Sequence, residues 1–96
     1  MSVSCDMAVK ISDGIVFTSF EFDRYILLEI GKGNYFELEG TAGFLWSLWR
    51  QDGSIGRSIE QLADRYRIDR ATAETDVLEL IADLAQNELV TVAGRT

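Results

Sequence analysis

The side chains that most often carry chemistry are scarce in this sequence. Its 96 residues include no histidine, and the single cysteine, Cys5, stands near the N-terminus. Histidine is the usual general base and the commonest metal ligand, and a lone thiol without a base beside it is poorly activated. A zinc site would have to be built from carboxylates, which is uncommon. We therefore expect a binding module rather than an enzyme, with no catalytic residues, no metal and no cofactor.

Two patterns resemble a set of catalytic acids and a phosphate-binding loop, but the residues around them do not support either function. Asp76, Glu79 and Asp83 fall at helical spacing, yet sixteen acidic residues make such pairs inevitable, and a solvated helix face explains them. The segment 31–33, Gly-Lys-Gly, begins like a phosphate-binding loop. Phe36 stands where the third glycine would be, and a strand follows instead of a helix. Neither pattern therefore predicts an active site or a nucleotide site.

Charge and length restrict the class of partner. The net charge is −7 and the pI about 4.4, so phosphate backbones and anionic lipids are repelled. The sequence has no signal-peptide pattern and no apolar run of about 18–20 residues, and one cysteine is typical of a reducing compartment. We expect a single cytoplasmic domain over residues 1–96, with residues 1–7 and 93–96 flexible, and neither nucleic acid nor membrane as a partner.

Alternating apolar residues predict strands in the first half of the chain. The predicted strands are 8–12, 15–22, 25–30 and 34–38, and the strand 25–30 places Ile26, Leu28 and Ile30 on one face. Short turns between the last three strands make neighbours antiparallel, which gives a three-stranded meander. The strand 34–38 then lies at an edge of the sheet, and edge strands carry unpaired backbone groups.

Helical periodicity predicts three helices in the second half, over 41–50, 59–66 and 70–86. Ser58 is the predicted N-cap of the second helix, in a capping box with Gln61, and Asp69 is the predicted cap of the third. Asn87 is expected to end the third helix in a left-handed conformation. The residues Leu89, Val90 and Val92 are expected to fold back onto the core. The fold class is thus α+β.

The same order of elements is typical of winged helix-turn-helix domains that bind DNA. Three arginines cluster at the turn before the third helix: Arg65, Arg67 and Arg70. The helix that would enter the groove of DNA continues with Glu74, Asp76, Glu79 and Asp83, whose carboxylates would face phosphates. A DNA-binding regulator therefore stays an alternative that the charge disfavours.

The motifs taken together resemble the pyrroloquinoline quinone biosynthesis protein D (PqqD) family. In the first half the resemblance lies in Tyr25-Ile26-Leu27-Leu28, Asn34-Tyr35-Phe36-Glu37-Leu38 and Gly43-Phe44-Leu45-Trp46. In the second half it lies in Ser58-Ile59-Glu60-Gln61-Leu62, Tyr66, Asp69, Asp76-Val77-Leu78, Leu84 and Leu89-Val90. It covers residues 15–92. Asn87 replaces a glycine that the family often has, and Glu39 replaces an Asn or Asp.

This resemblance implies a precursor-peptide recognition element. In that family three antiparallel strands precede three helices, and the leader segment of a precursor peptide adds as a strand to the third strand, against the third helix. A free-standing domain of this length is most similar to the leader-binding proteins of lasso-peptide clusters. There the bound precursor passes to a leader peptidase and then to a macrolactam-forming cyclase. A PqqD-type carrier that delivers a precursor to a radical-SAM enzyme is the first alternative.

The candidate leader-binding residues follow from this resemblance and from the helical wheel. They are Asn34, Tyr35, Phe36, Glu37 and Leu38 on the edge strand, with Asp76, Val77, Leu80, Asp83 and Leu84 on the third helix. We expect Leu80 and Val77, with either Phe36 or Tyr35, to line a pocket for apolar anchors of the leader. Asp76 and Asp83 are expected to meet its polar or basic groups. An ordinary core role is the alternative for Val77, Phe36 and Leu38.

Overall fold

Two antiparallel sheets and three helices make up the protein in a computed structural model that describes residues 7–19, 21 and 23–94. The elements in chain order are β1 (Met7–Ile11), β2 (Ile15–Ser19), β3 (Tyr25–Glu29), β4 (Asn34–Leu38), α1 (Thr41–Trp49), α2 (Ile55–Tyr66), α3 (Arg70–Gln86) and β5 (Val90–Gly94). The larger sheet has the order β2-β3-β4, and β1 pairs with β5 in the smaller one. The predicted α+β class, with a three-stranded meander before three helices, is confirmed.

The meander follows the alternation in the sequence, because tight turns connect its strands. Gly33 in the β3–β4 turn has φ +74°, a conformation that glycine adopts without steric cost. Between β2 and β3 the chain turns through Glu21 and Asp23, whose φ values are also positive. Strand β2 ends at Ser19, before the predicted end at residue 22, and Phe20 and Phe22 lie outside the described residues.

The smaller sheet joins the two ends of the described chain. Met7 pairs with Gly94 and Ala8 with Ala93. Met7, Ala93 and Gly94 therefore lie in strands, although they belong to the end segments that we expected to be flexible. The predicted return of the chain onto the core is confirmed: Leu89 and Val90 are buried, and Val92 packs against the core. Residues 1–6, which include Cys5, and residues 95 and 96 lie outside the described part of the chain.

Helix α2 begins one turn earlier than predicted. Its N-cap is Ser54, whose Oγ accepts a hydrogen bond from the Arg57 backbone N–H at 3.2 Å. Ser58, the predicted cap, is buried inside the helix and donates its hydroxyl to the Ile55 carbonyl at 2.7 Å. The predicted start was wrong because Ile55 is already buried in the core, so the apolar stripe of α2 begins before the capping-box pattern.

Helix α3 begins as predicted and ends differently. Asp69 accepts a hydrogen bond from the Thr72 N–H at 2.8 Å, which confirms it as the N-cap. At the other end Asn87 has φ −89°, so the predicted left-handed conformation was wrong there, and Glu88 adopts it instead with φ +62°. The Asn87 side chain satisfies the helix end by donating Nδ2–H to the Asp83 carbonyl at 2.9 Å.

The core lies between the inner face of the meander and the three helices. Its largest fully buried side chain is Trp46 of α1, whose ring meets Phe17 of β2 edge-on at 5.4 Å between centroids. Helix α3 contributes the buried residues Ala73, Val77, Ile81 and Leu84. Among the described helices none is long and apolar enough to cross a membrane.

Candidate functional site

Strand β4 is an edge of the meander. It pairs with β3 on one side, and no other described strand pairs with it on the other. Alternate backbone N–H and C=O groups of Asn34–Leu38 therefore point away from the sheet without a strand partner. An extended peptide could hydrogen-bond to these groups as a further strand.

Two ion pairs hold the β3–β4 hairpin alongside α3. At the turn between the strands, Lys32 Nζ lies 2.8 Å from Oε2 of Glu88, which follows α3. At the opposite end of the hairpin, Asp23 Oδ2 lies 3.0 Å from Nη2 of Arg65, in the last turn of α2 just before α3. The start of β4 therefore lies toward the C-terminal end of α3 and its end toward the segment that precedes α3, so the strand and the helix run in opposite directions.

The Lys32–Glu88 pair is charged on both sides at neutral pH. The hydrogen bond to Glu88, with the attraction of Glu88 and Glu29, raises the pKa of Lys32 above its ordinary value. The same hydrogen bond and attraction from Lys32 lower the pKa of Glu88. Both groups are exposed, so solvent screens the pair and its contribution to stability is small.

Apolar side chains of intermediate exposure stand on both β4 and α3. Phe36 on β4 and Leu80 on α3 are half-buried, and both pack against the core while keeping part of their surface accessible. Three other predicted site residues, Leu38, Val77 and Leu84, are buried in the core and expose almost nothing. The structure thus brings Phe36 and Leu80 to the surface of the candidate site and places the other three beneath it.

One flank of α3 adds negative charge beside Leu80. Asp76, Leu80 and Asp83 are spaced i, i+4 and i+7, so they share one side of the helix. Both aspartates are exposed, and neither forms an ion pair with any described residue. The flank therefore offers two carboxylates to a basic or polar partner next to the apolar Leu80.

Tyr35 and Phe36 point to opposite faces of the sheet. Phe36 shares the inner face with the buried Leu38, whereas Tyr35 and Glu37 are exposed on the outer face. Of the two alternatives for the pocket, Phe36 is the one on the face of the core and α3. On the outer face Glu37 accepts a hydrogen bond from Arg24 Nε at 2.9 Å, and this bond is the main cause of the raised pKa of Arg24.

The outer face carries a row of exposed apolar side chains, of which only Tyr35 was predicted as functional. Val16 pairs with Leu28 and Leu28 pairs with Tyr35, so the three lie in register across the meander. The alternation of Ile26, Leu28 and Ile30 was visible in the sequence, but β3 is apolar on both faces. Tyr25 and Leu27 are the residues that enter the core, and only the tertiary structure distinguishes the two faces.

Among the described residues, no group of three or more His, Cys, Asp or Glu side chains is arranged to hold a metal ion. The arrangement of β4 and α3 is suited to binding an extended chain through backbone hydrogen bonds and one or two apolar contacts.

Comparisons with known proteins agree with this geometry. A sequence profile of a family described as coenzyme PQQ synthesis protein D (PqqD) matches residues 24–90, which include β3, β4 and all three helices. A solved structure, TbiB1 in complex with the TbiA(beta) leader peptide, is similar with a TM-score of 0.75 and 30% sequence identity. The similarity covers 84% of this chain and 93% of the TbiB1 chain. No curated protein matches the sequence significantly.

Proposed function

Because this chain belongs to the PqqD family, whose profile matches most of its length, we propose that it binds the leader segment of a ribosomally made precursor peptide. The leader adds as a strand to the open edge of β4, in the groove against α3. The observation that carries the proposal is the unpaired edge of β4, together with a flank of α3 that presents Leu80 and two exposed carboxylates. The class of ligand is supported by the similarity to TbiB1, whose structure holds a leader peptide.

Backbone pairing alone does not account for useful affinity. Ordering a flexible leader costs about 2–5 kcal/mol, and a micromolar complex needs a net binding free energy of roughly −8 kcal/mol. Strand hydrogen bonds contribute only about 1 kcal/mol each after exchange with water. One or two large apolar side chains of the leader, at about 1.5–3 kcal/mol each, close this gap. Phe36 and Leu80 are the half-buried side chains that receive such an anchor.

The remaining predicted site residues have distinct roles in this proposal. Tyr35 and Glu37 supply backbone groups of the open edge, whereas Asn34 begins the alternating set whose backbone bonds to β3. Asp76 and Asp83 attract basic or polar groups of the leader, in keeping with the net charge of −7. Leu38, Val77 and Leu84 support the groove from the core, where their burial keeps β4 and α3 in position.

In this proposal the chain is not an enzyme but presents its bound precursor to one. We propose that it serves a separate leader peptidase and a cyclase in lasso-peptide maturation, in the cytoplasm. The family match itself favours a second candidate, a carrier that delivers a precursor to a radical-SAM enzyme. Neighbouring genes distinguish the two, since a peptidase and a cyclase support the first and a radical-SAM enzyme supports the second.

The groove is tested by titrating the full chain with a fluorescent leader peptide, taken from the precursor encoded beside the gene. We expect Leu80→Asp to weaken binding about tenfold or more, because a carboxylate replaces an apolar wall. Ala82→Asp is the matched control: it adds the same charge to an exposed position on another side of α3, and its affinity stays within about twofold of the original.

Two further readouts make the result decisive. Circular dichroism of Leu80→Asp separates lost binding from lost folding, and hydrogen exchange on the unsubstituted chain shows whether amides of β4 become protected when the peptide binds. A folded Leu80→Asp domain with unchanged affinity would contradict the groove. Salt-dependent binding of duplex DNA would instead favour the helix-turn-helix alternative.

A further inference from the structure

The outer face of the meander carries an apolar row that ends at the open edge. Val16 on β2, Leu28 on β3 and Tyr35 on β4 are in cross-strand register. Their exposed fractions are 52%, 40% and 74%, values that are large for apolar side chains that lie side by side. The most exposed of the three is therefore the one on the edge strand, where no described strand covers its free side.

The position of Tyr35 has a consequence for any strand that pairs with β4. Paired residues on neighbouring strands point to the same face of a sheet, whether the strands run parallel or antiparallel. In antiparallel pairs directly opposed Cβ atoms lie about 4.5–5.5 Å apart, so the side chain opposite Tyr35 contacts its ring. The guest residue opposite Tyr35 thus becomes the fourth member of the row.

We propose that Tyr35, at the open end of this outer row, is a second specificity element, which selects a leader with a large apolar residue, aromatic or β-branched, opposite it. The inference rests on the proposed strand addition and deepens it, because the guest is then recognised on both faces: Phe36 and Leu80 contact it on the inner face and Tyr35 on the outer. Aromatic and β-branched partners fit because they pack best against an aromatic ring across a sheet.

The neighbouring outer-face position favours a different side chain. Two residues from Tyr35, Glu37 is exposed and already accepts hydrogen bonds from Arg24. A guest residue opposite Glu37 meets an ion pair rather than an apolar surface, so a polar residue is suited there. The outer face therefore selects a large apolar residue and a polar residue two positions apart, with the order set by the direction of the guest strand.

A displayed library of short random peptides, selected for binding to the full chain, tests the proposal whatever the identity of the precursor. Each selected peptide is then scanned with alanine against the original chain and against Tyr35→Thr, which retains strand propensity but removes the ring. We expect each peptide to contain one large apolar residue whose replacement by alanine weakens binding to the original chain about threefold to tenfold. The same replacement is expected to weaken binding to Tyr35→Thr by no more than about twofold.

Val16→Thr is the matched control, because Val16 belongs to the same row but is separated from the guest by β3 and β4. We expect it to leave peptide affinity within about twofold of the original. We expect Leu80→Asp to weaken binding of the same peptides about tenfold or more, which would place them in the proposed groove.

The outcomes distinguish this inference from the proposed function. If no peptide is enriched, or if enriched peptides are insensitive to Leu80→Asp, strand addition in the groove fails and the inference fails with it. Peptides that depend on Leu80 but have no residue coupled to Tyr35 overturn the outer-face selection alone. Equal losses from Val16→Thr and Tyr35→Thr, or a dimer in sedimentation that both substitutions dissociate, would assign the row to a second copy of the chain and also overturn it.

Discussion

A single hydroxyl caps the first turn of α2. Ser54 Oγ accepts the Arg57 N–H, and Ser54 is itself held in place because its own N–H donates to Oδ1 of Asp52 at 3.1 Å. The N-terminal N–H groups of a helix have no partner inside it, so this acceptor stabilises the first turn.

We expect Ser54→Ala to lower the free energy of unfolding by about 1 kcal/mol, since the alanine side chain accepts no hydrogen bond. Ser54→Asn keeps an acceptor at the same position and is expected to retain most of the stability. Urea denaturation followed by circular dichroism measures both. If the two substitutions cost the same, the hydroxyl is not the cap that holds this turn.

At the scale of elements, α1 packs closely on the turn between β2 and β3 through Gly43. A Cβ atom at Gly43 would overlap with the backbone carbonyl of Asp23, and backbone cannot move aside as a flexible side chain does. Gly43 thus belongs to a close contact between a helix and the turn that leads into β3, in addition to its place in the apolar sequence around Trp46.

We expect Gly43→Ala to destabilise the protein by about 1–3 kcal/mol, although alanine is the better helix former, because the methyl group pushes α1 away from the turn. Gly31→Ala is the control, since a Cβ there meets nothing within 4 Å and Gly31 is not among the residues with positive φ. Thermal unfolding compares the two. A stability of Gly43→Ala equal to that of the original chain would show that the contact is loose.

The ion pair between the hairpin turn and the end of α3 gives a pH dependence whose sign follows from its pKa shifts. The lowered pKa of Glu88 means that its contribution is present above the unfolded pKa, near 4.5, and is lost as pH falls through the lower folded value. The raised pKa of Lys32 means that its contribution is lost as pH rises above about 10.5. The ion pair therefore contributes to the stability of the folded state between these two pH values.

We expect Lys32→Met to return the pKa of Glu88 toward 4.5, because both causes of its depression come from Lys32. Carbon-detected NMR titration of the Glu88 carboxyl measures the change, and Glu60, in a separate and longer ion pair with Arg70 at 3.9 Å, serves as an internal reference. An unchanged Glu88 midpoint in Lys32→Met would mean that the turn is not held against α3 in solution.

For the whole molecule, elements with one strong local pattern were predictable from sequence. Strand Asn34–Leu38 lies where its alternation predicts, and helix Arg70–Gln86 follows Asp69 as its stripe and cap predict. Helix α2 was placed wrongly at its start because Ser58 mimics a cap, while the actual cap, Ser54, follows a loop with no helical periodicity. Burial of Ile55 decided the boundary, and burial depends on tertiary packing.

The sequence predicted which segments form the candidate site, but not which of their side chains lie on the same face. Alternation separates Tyr35 from Phe36, yet it does not say which of them faces α3, because β3 is apolar on both sides. Local sequence patterns likewise could not predict that β1 pairs with β5, since the two strands come from opposite ends of the sequence. The Lys32–Glu88 and Arg65–Asp23 pairs, which align β4 with α3, also join residues distant in sequence.

The β1–β5 pairing has a consequence for the connectivity of the molecule. In an antiparallel pair opposed Cα atoms are about 4.5–5.5 Å apart, so Met7 and Gly94 are close neighbours. A linker of a few residues would span that gap, and the chain could then be opened at the exposed turn around Gly31 without losing a helix or a strand. A circular permutant of this kind would keep the order of strands in both sheets, and its new ends would lie at the β3–β4 turn, beside the start of the strand that we propose as the docking edge.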